Sequence, residues 1–240
     1  MTTHPHLERG LTILHTRLAA PGGGADTRHA PASRPFVTLS REACAGATSL
    51  GHALLPLLDA EFKAEDRSWM FLDKDLLNRA LSRHALPERL AEFLPEDRVP
   101  EVQALIGELV GLHPPLWQLE QKVSEAILQI ARHGHVIFAG RAAHEVTQFL
   151  AGGFHVRLVA SLPARIRRMQ DMQHCAADEA ERRIGALDQA RQRYVRTLFD
   201  TDVADPHAYD LVINTDRIPP HQAAHLIMEA LRTRVPAARS

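Results

Sequence analysis

Apolar residues along the chain fall into two rhythms. Five short runs are almost continuously apolar: FVTLS at 36–40, WMFLD at 69–73, HVIFAG at 135–140, HVRLVAS at 155–161 and DLVINT at 210–215. Such runs fit strands covered on both faces, as a parallel sheet requires. Between them the apolar positions recur at helical spacing over 49–62, 74–83, 101–112, 116–133, 141–150, 163–186 and 219–234. Strands alternating with helices predict an α/β fold with a parallel sheet of about five strands flanked by helices.

Two segments stand outside this alternation. Leu7, Leu11, Leu14 and Leu18 form one apolar stripe, and PGGGADTRHAPASRP at 21–35 has the composition of a flexible linker. Residues 1–35 are therefore expected to be a helix and linker, with the helix available to a second copy or another partner, and the main domain to run over 36–240. Residues 84–115 contain prolines and a helical piece but no strand. They are expected to form a helical insert, either at the sheet's ligand-binding edge or as a plain helical hairpin.

The 240 residues are enough for one α/β domain with an insert, and 28 basic residues against 29 acidic ones give a net charge of -1. Nothing in that balance attracts nucleic acid or a membrane surface. The two cysteines, Cys44 and Cys175, show no metal-site or disulfide spacing, and no run is apolar for the roughly 18 residues a membrane span needs. A cytoplasmic location is expected. Of the 15 histidines only His221 and His225 have the i, i+4 spacing of a helical ligand pair, and no glutamate accompanies them in the zinc-protease arrangement.

The candidate chemistry begins in FVTLSREACAGATSLGHAL, residues 36–54, where an apolar run feeds a turn of small residues and then a helical pattern. This is the order of a phosphate-binding loop. Laid over G-x-x-x-x-G-K-[ST], it supplies Gly46 and Thr48, but Arg41 stands for the first glycine and Ala47 for the lysine. Backbone amides of Ser40, Arg41, Ala45, Gly46, Ala47, Thr48 and Ser49 could hold donor phosphates, with the Thr48 hydroxyl on magnesium. Arg41 is the nearest cation to replace the lysine.

SREACAGATSLGHAL, LDKDLLNRAL, VIFAGRAAHEV, VRLVASLPARIRRM, DQARQRYVRTLF and YDLVINTDRI follow one another in an order that resembles the cytidylate kinase-like proteins, a branch of the nucleoside monophosphate kinases. The resemblance covers roughly 36–232 and implies a P-loop kinase-type fold with a lid. That branch uses a serine-arginine-glutamate loop without the lysine; here Cys44 and Ala45 stand where it usually has glycine and serine. Residue by residue, the resemblance implies that Asp73 and Arg79 bind the acceptor monophosphate. It also implies that Arg141 does so after its strand, and that Asp188 and Arg191 form the D-x-x-R of the lid. Ala142 stands where the kinases often have aspartate. Asn214, Thr215 and Asp216 fall in the region that borders adenine, although asparagine and aspartate there also suit a turn.

Arg165, Arg167, Arg168, Arg182, Arg183, Arg191, Arg193 and Arg196 lie within 32 residues that contain no lysine. Guanidinium forks of this kind stabilise charge on a transferring phosphoryl group. A solvated helix, paired with Asp171, Asp178, Glu179 and Glu181, explains any one of them equally well. Arg41, Arg165, Arg168, Asp188 and Arg191 are the candidates for catalysis, within a basic lid over 163–196.

The favoured reading is transfer of the ATP γ-phosphoryl group to a nucleoside monophosphate, cytidylate first, with ATP and Mg2+ as cofactors and nucleotides as the partners. Its rivals are a degenerate kinase fold that binds a nucleotide without turnover, and an assembly role centred on the first helix.

Overall fold

The protein is described by a computed structural model over residues 34–62, 68–73 and 116–234. The first helix and most of the linker, the helical patterns at 74–83 and 101–112, the insert at 84–115, and Arg79 all lie outside the described residues.

Five strands form one parallel sheet: β1 (Phe36–Arg41), β2 (Met70–Leu72), β3 (Val136–Ala139), β4 (Gly153–Val159) and β5 (Leu211–Asn214). Their order across the sheet is β2-β3-β1-β4-β5. Six α-helices accompany them among the described residues: α1 (Ala47–Glu61), α2 (Leu116–His133), α3 (Ala143–Thr147), α4 (Leu162–Gln173), α5 (Ala177–Phe199) and α6 (Pro220–Arg234). The expected α/β class and strand number hold. β1 is central, with β2 and β3 on one side and β4 and β5 on the other. Because every strand is parallel, all five carboxyl ends gather at one edge, where open α/β sheets bind ligands.

The two faces of the sheet differ. Val37 and Leu39 of β1, Ile137 and Ala139 of β3, Phe154, Val156 and Leu158 of β4, and Ile213 of β5 share one buried apolar cluster. It closes against Leu50, Leu54 and Leu58 of α1 and Ala223, Ala224, Ile227 and Leu231 of α6. The opposite face of β1 and β4 is polar, with Thr38, Ser40 and Arg157 buried and His155 partly so: Thr38 pairs in register with His155, and Ser40 with Arg157. Thr38 Oγ1 lies 2.8 Å from His155 Nδ1, and the Arg157 guanidinium donates to Ser40 Oγ at 3.3 Å. A polar group sealed in the interior is tolerated because it finds such a partner.

One helical expectation divides. The pattern over 163–186 is two helices, α4 and α5, separated at His174, which takes a left-handed conformation at φ 52. The His174 amide closes α4 on Gln170 O at 2.7 Å, and Asp178 and Glu179 then occupy the first turn of α5, where carboxylates complement the helix dipole.

Burial lowers the His155 pKa from 6.5 to about 4, against the raising influence of Asp210. The unfolded chain takes up this proton near the ordinary histidine value, the folded chain only near 4, so between the two the unfolded state binds more protons. The contribution is complete above about pH 6.5 and is lost as pH falls toward about 4. Chemical denaturation is expected to show a smaller loss of stability over that window for His155→Gln than for the unsubstituted protein.

Candidate functional site

The phosphate-type loop leaves the carboxyl end of the central strand. The Glu42 amide extends the β1–β4 pairing by donating to Leu158 O at 3.0 Å, and the Ala45 amide turns back to Glu42 O at 3.1 Å. Cys44 and Gly46 are both left-handed, with φ 60 and 91. Gly46 then serves as N-cap of α1, its carbonyl accepting from Leu50 at 3.0 Å. A Cβ placed on Gly46 would meet no atom of the described residues within 4 Å, so glycine is needed there for its conformation and the space beside it is open. No side chain caps α1 among the described residues. The first-turn amides of Ala47, Thr48 and Ser49 therefore lie at a positive helix end suited to an anion.

Ala47 is packed with Leu50 and Leu54 in the main core. Thr48 and Ser49 are exposed on the same turn. The side chain at the lysine position thus belongs to the core, and positive charge has to reach the loop from elsewhere.

Three arginines of α4 and α5 supply it. Arg168 donates to Cys44 O at 3.2 Å, to Thr215 Oγ1 at 3.0 Å and to Thr215 O at 2.8 Å. Arg165 donates through Nε to Ala160 O at 3.1 Å and through its guanidinium to Asp188 Oδ2 at 2.5 Å, with Glu42 Oε2 3.6 Å away. Arg191 reaches Arg41 O at 3.4 Å and Asp188 Oδ1 at 3.5 Å. Asp188 also accepts the Ala43 amide at 2.6 Å. Beneath these contacts Ala43, Met169, Ala180 and Ile184 form a small apolar cluster that seats the α4–α5 pair on the loop. The remaining arginines of the segment behave as a solvated surface: Arg182 pairs with Asp178, Arg183 with Glu179 and Gln173, and Arg196 with Asp200.

A second group of arginines lines a cleft beside the loop, between the ends of β1 and β3. Its walls include Ser40, Arg41, Gly140, Arg141, Arg191 and Tyr194. The turn after β3 is left-handed for three residues running, Gly140, Arg141 and Ala142, at φ 89, 56 and 48. Strained backbone of this kind clusters where a side chain must be aimed. The Arg41 guanidinium lies against Gly140, so closely that a Cβ there would fall 2.1 Å from it. Arg41 is accordingly directed to the cleft, together with Arg141 and Arg191. Ala142 is buried against Tyr194 and Val195, which makes this corner apolar. Asp73 lies immediately after β2.

Beneath the cleft is a network that sequence reasoning did not assemble. The Tyr209 hydroxyl is 2.8 Å from Val203 O, 3.0 Å from Ser40 Oγ and 3.0 Å from His144 Nε2, and its ring stacks on His144. Glu145 accepts from Thr201 at 2.7 Å; its hydrogen bond with His144 holds its carboxyl below the usual range. Burial raises the Tyr209 phenol above its ordinary value. Arg157 lies over the same ring. These residues are separated by up to 169 positions; His144, Glu145, Arg157 and Tyr209 fall within the family-like stretches, but only Ser40 was a candidate site residue.

The comparisons with known proteins agree with this architecture. A cytidylate kinase of Pyrococcus horikoshii is 26% identical over 121 residues, covering 50% of this chain and 60% of that protein. A cytidylate kinase of Methanothrix thermoacetophila is 24% identical over 127 residues, covering 53% and 70%. A solved structure of an uncharacterized protein from Eubacterium ventriosum superposes with a TM-score of 0.59 at 14% identity, covering 84% of this chain and all of that one, a likeness of fold alone. The cytidylate kinase-like family description matches residues 36–217, and the chain belongs to that family.

Proposed function

We propose that the protein transfers the γ-phosphoryl group of ATP to a nucleoside monophosphate, with cytidylate the first acceptor to test. The observation that supports this reading is the juxtaposition, at one sheet edge, of two features suited to anions. One is a left-handed loop ending in an uncapped helix. The other is a neighbouring cleft walled by Arg41, Arg141 and Arg191. In-line phosphoryl transfer needs a donor cradle and an acceptor clamp side by side, with positive charge between them. Arg191 stands at that boundary, touching the loop's Arg41 carbonyl while lining the cleft.

In this reading the amides of Ala45 to Ser49 bind the donor phosphates, and Arg41, Arg141 and Arg191 orient the acceptor phosphate. Arg165 and Arg168 hold the loop in shape through Asp188 and Cys44 O. Magnesium is ordinarily held by few protein groups together with waters and substrate phosphates, and a hydroxyl on the exposed first turn of α1 suits that role. The exposed Thr48 hydroxyl is the residue that would hold it. There the ion would neutralise charge on the donor phosphates. Asp73 and Arg79 complete the proposed acceptor site, and the segment over 163–196 acts as its basic cover. Among the described residues no helix is long and apolar enough to cross a membrane.

A second reading, nucleotide binding without turnover, is favoured by Ala47, since its core position leaves no lysine on the β- and γ-phosphates. The two are separated by incubating the protein with Mg2+, ATP and each nucleoside monophosphate and measuring ADP. Acceptor-dependent ADP release is expected. A rise in melting temperature with ATP but no ADP from any acceptor would favour the second reading.

Where turnover is measured, Arg191→Ala is expected to lower kcat/KM by about 100-fold, corresponding to one charge-assisted phosphate contact of roughly 2–3 kcal/mol. An unchanged value would move the acceptor site away from this cleft. Gly140→Ala is expected to lower both kcat/KM and the melting temperature, because the new Cβ meets the Arg41 guanidinium on a backbone only glycine adopts readily.

A further inference from the structure

Asp188 makes the contacts an anionic ligand would make. Its Oδ1 accepts the Ala43 amide at 2.6 Å and faces Arg191 at 3.5 Å; its Oδ2 accepts from Arg165 at 2.5 Å. A loop amide and two guanidinium groups thus converge on two carboxylate oxygens, and the amide belongs to the loop proposed to bind phosphates. We infer that Ala43 N–H, Arg165 and Arg191 form an oxyanion subsite for a phosphoryl group, and that the Asp188 carboxylate is seated in it until a polyphosphate displaces it. This rests on the loop being a phosphate cradle, and it adds an internal competitor to that cradle.

Three features make displacement feasible. A phosphoryl group carries more charge than a carboxylate and offers more oxygens to the same donors, so it is the stronger partner once bound. Arg165 is not orphaned when Asp188 leaves, because Ala160 O and the Glu42 carboxylate remain beside it. Asp188 also sits on a helix that can yield: Gly185 lies three residues earlier in α5, and a Cβ there would meet nothing within 4 Å. An interior glycine weakens a helix by about 1 kcal/mol relative to alanine.

The inference has a sign that separates it from a role in orienting the acceptor. If Asp188 helped bind the ligand, removing its charge would weaken phosphate binding; if it occupies the ligand's place, removal strengthens it. Isothermal titration with inorganic tripolyphosphate is expected to give about tenfold tighter binding to Asp188→Asn than to the unsubstituted protein, on the scale of one charge-assisted hydrogen bond. The unsubstituted protein provides a second measurement that does not depend on how well the variant folds. The Asp188 13Cγ and Ala43 15N resonances are expected to move together as tripolyphosphate saturates it. Equal or weaker binding to Asp188→Asn would overturn the inference, as would a saturated protein whose Asp188 13Cγ resonance has not moved. Absence of tripolyphosphate binding to both proteins would remove the cradle itself, and the functional reading with it.

Discussion

The geometry of the site depends on holding positive charge against a loop that has no lysine of its own. In the described structure this is done across long stretches of chain. Asp188 reaches back 145 residues to the Ala43 amide and at the same time binds Arg165. Arg168 ties Cys44 O to Thr215 at the end of β5. Glu42 accepts the Ala160 amide at 2.9 Å, which fixes the loop's first residue to the strand beside it. The contacts join the loop to α4 and α5 and to the ends of β4 and β5. A loop lying mostly outside the sheet's hydrogen-bond ladder is thereby tied to the elements that flank it.

Such a clasp has an electrostatic consequence. Arg165, Arg168 and Arg191 each face a carboxylate of Glu42, Asp188 or Asp216. Charge brought into a partly buried site must be compensated, and here the protein compensates it internally. Attraction for a polyanion then depends on exchanging partners rather than on unpaired cations awaiting a ligand. The cleft is organised differently: Arg141 lies within the three left-handed residues after β3 and Arg41 packs closely on Gly140, while Arg191 is shared with the ion-paired group.

Apolar periodicity made the architecture legible because it reports which residues are buried, and burial is what the strands and helices of this sheet share. Each of the five expected runs overlaps a strand, with β4 starting two residues earlier at Gly153, and the expected 116–133 helix has those bounds. The break at His174 was hidden because left-handed helix ends are usually marked by glycine, and here histidine takes that conformation. The loop was legible through small residues and Gly46; that Arg41 turns toward Gly140 was not, because proximity in sequence says nothing about side-chain direction. Periodicity read β1 and β4 as covered on both faces, as they are, but not that polar Thr38, Ser40 and Arg157 are buried there, Thr38 beside His155 and Ser40 bonded to Arg157.

That polar face explains how a lysine-free loop can remain in register with its cleft. Ser40 is the last residue of β1 before Arg41, and its hydroxyl is fixed from both sides, by Arg157 of β4 and by Tyr209, which also binds Val203 O and His144. Val203 and His144 are themselves walls of the cleft, so one buried phenol links the strand that launches the loop to two surfaces of that cleft. A purely apolar contact would bury these elements without fixing their relative rotation, because hydrophobic association is non-directional. Directional bonds at Tyr209 fix it. Such buried polar contacts are costly unless fully partnered, and here the partners come from β1, β4, α3 and the segment before β5. In this chain the directional constraint therefore lies beneath the cleft, while the apolar face under α1 and α6 supplies the burial.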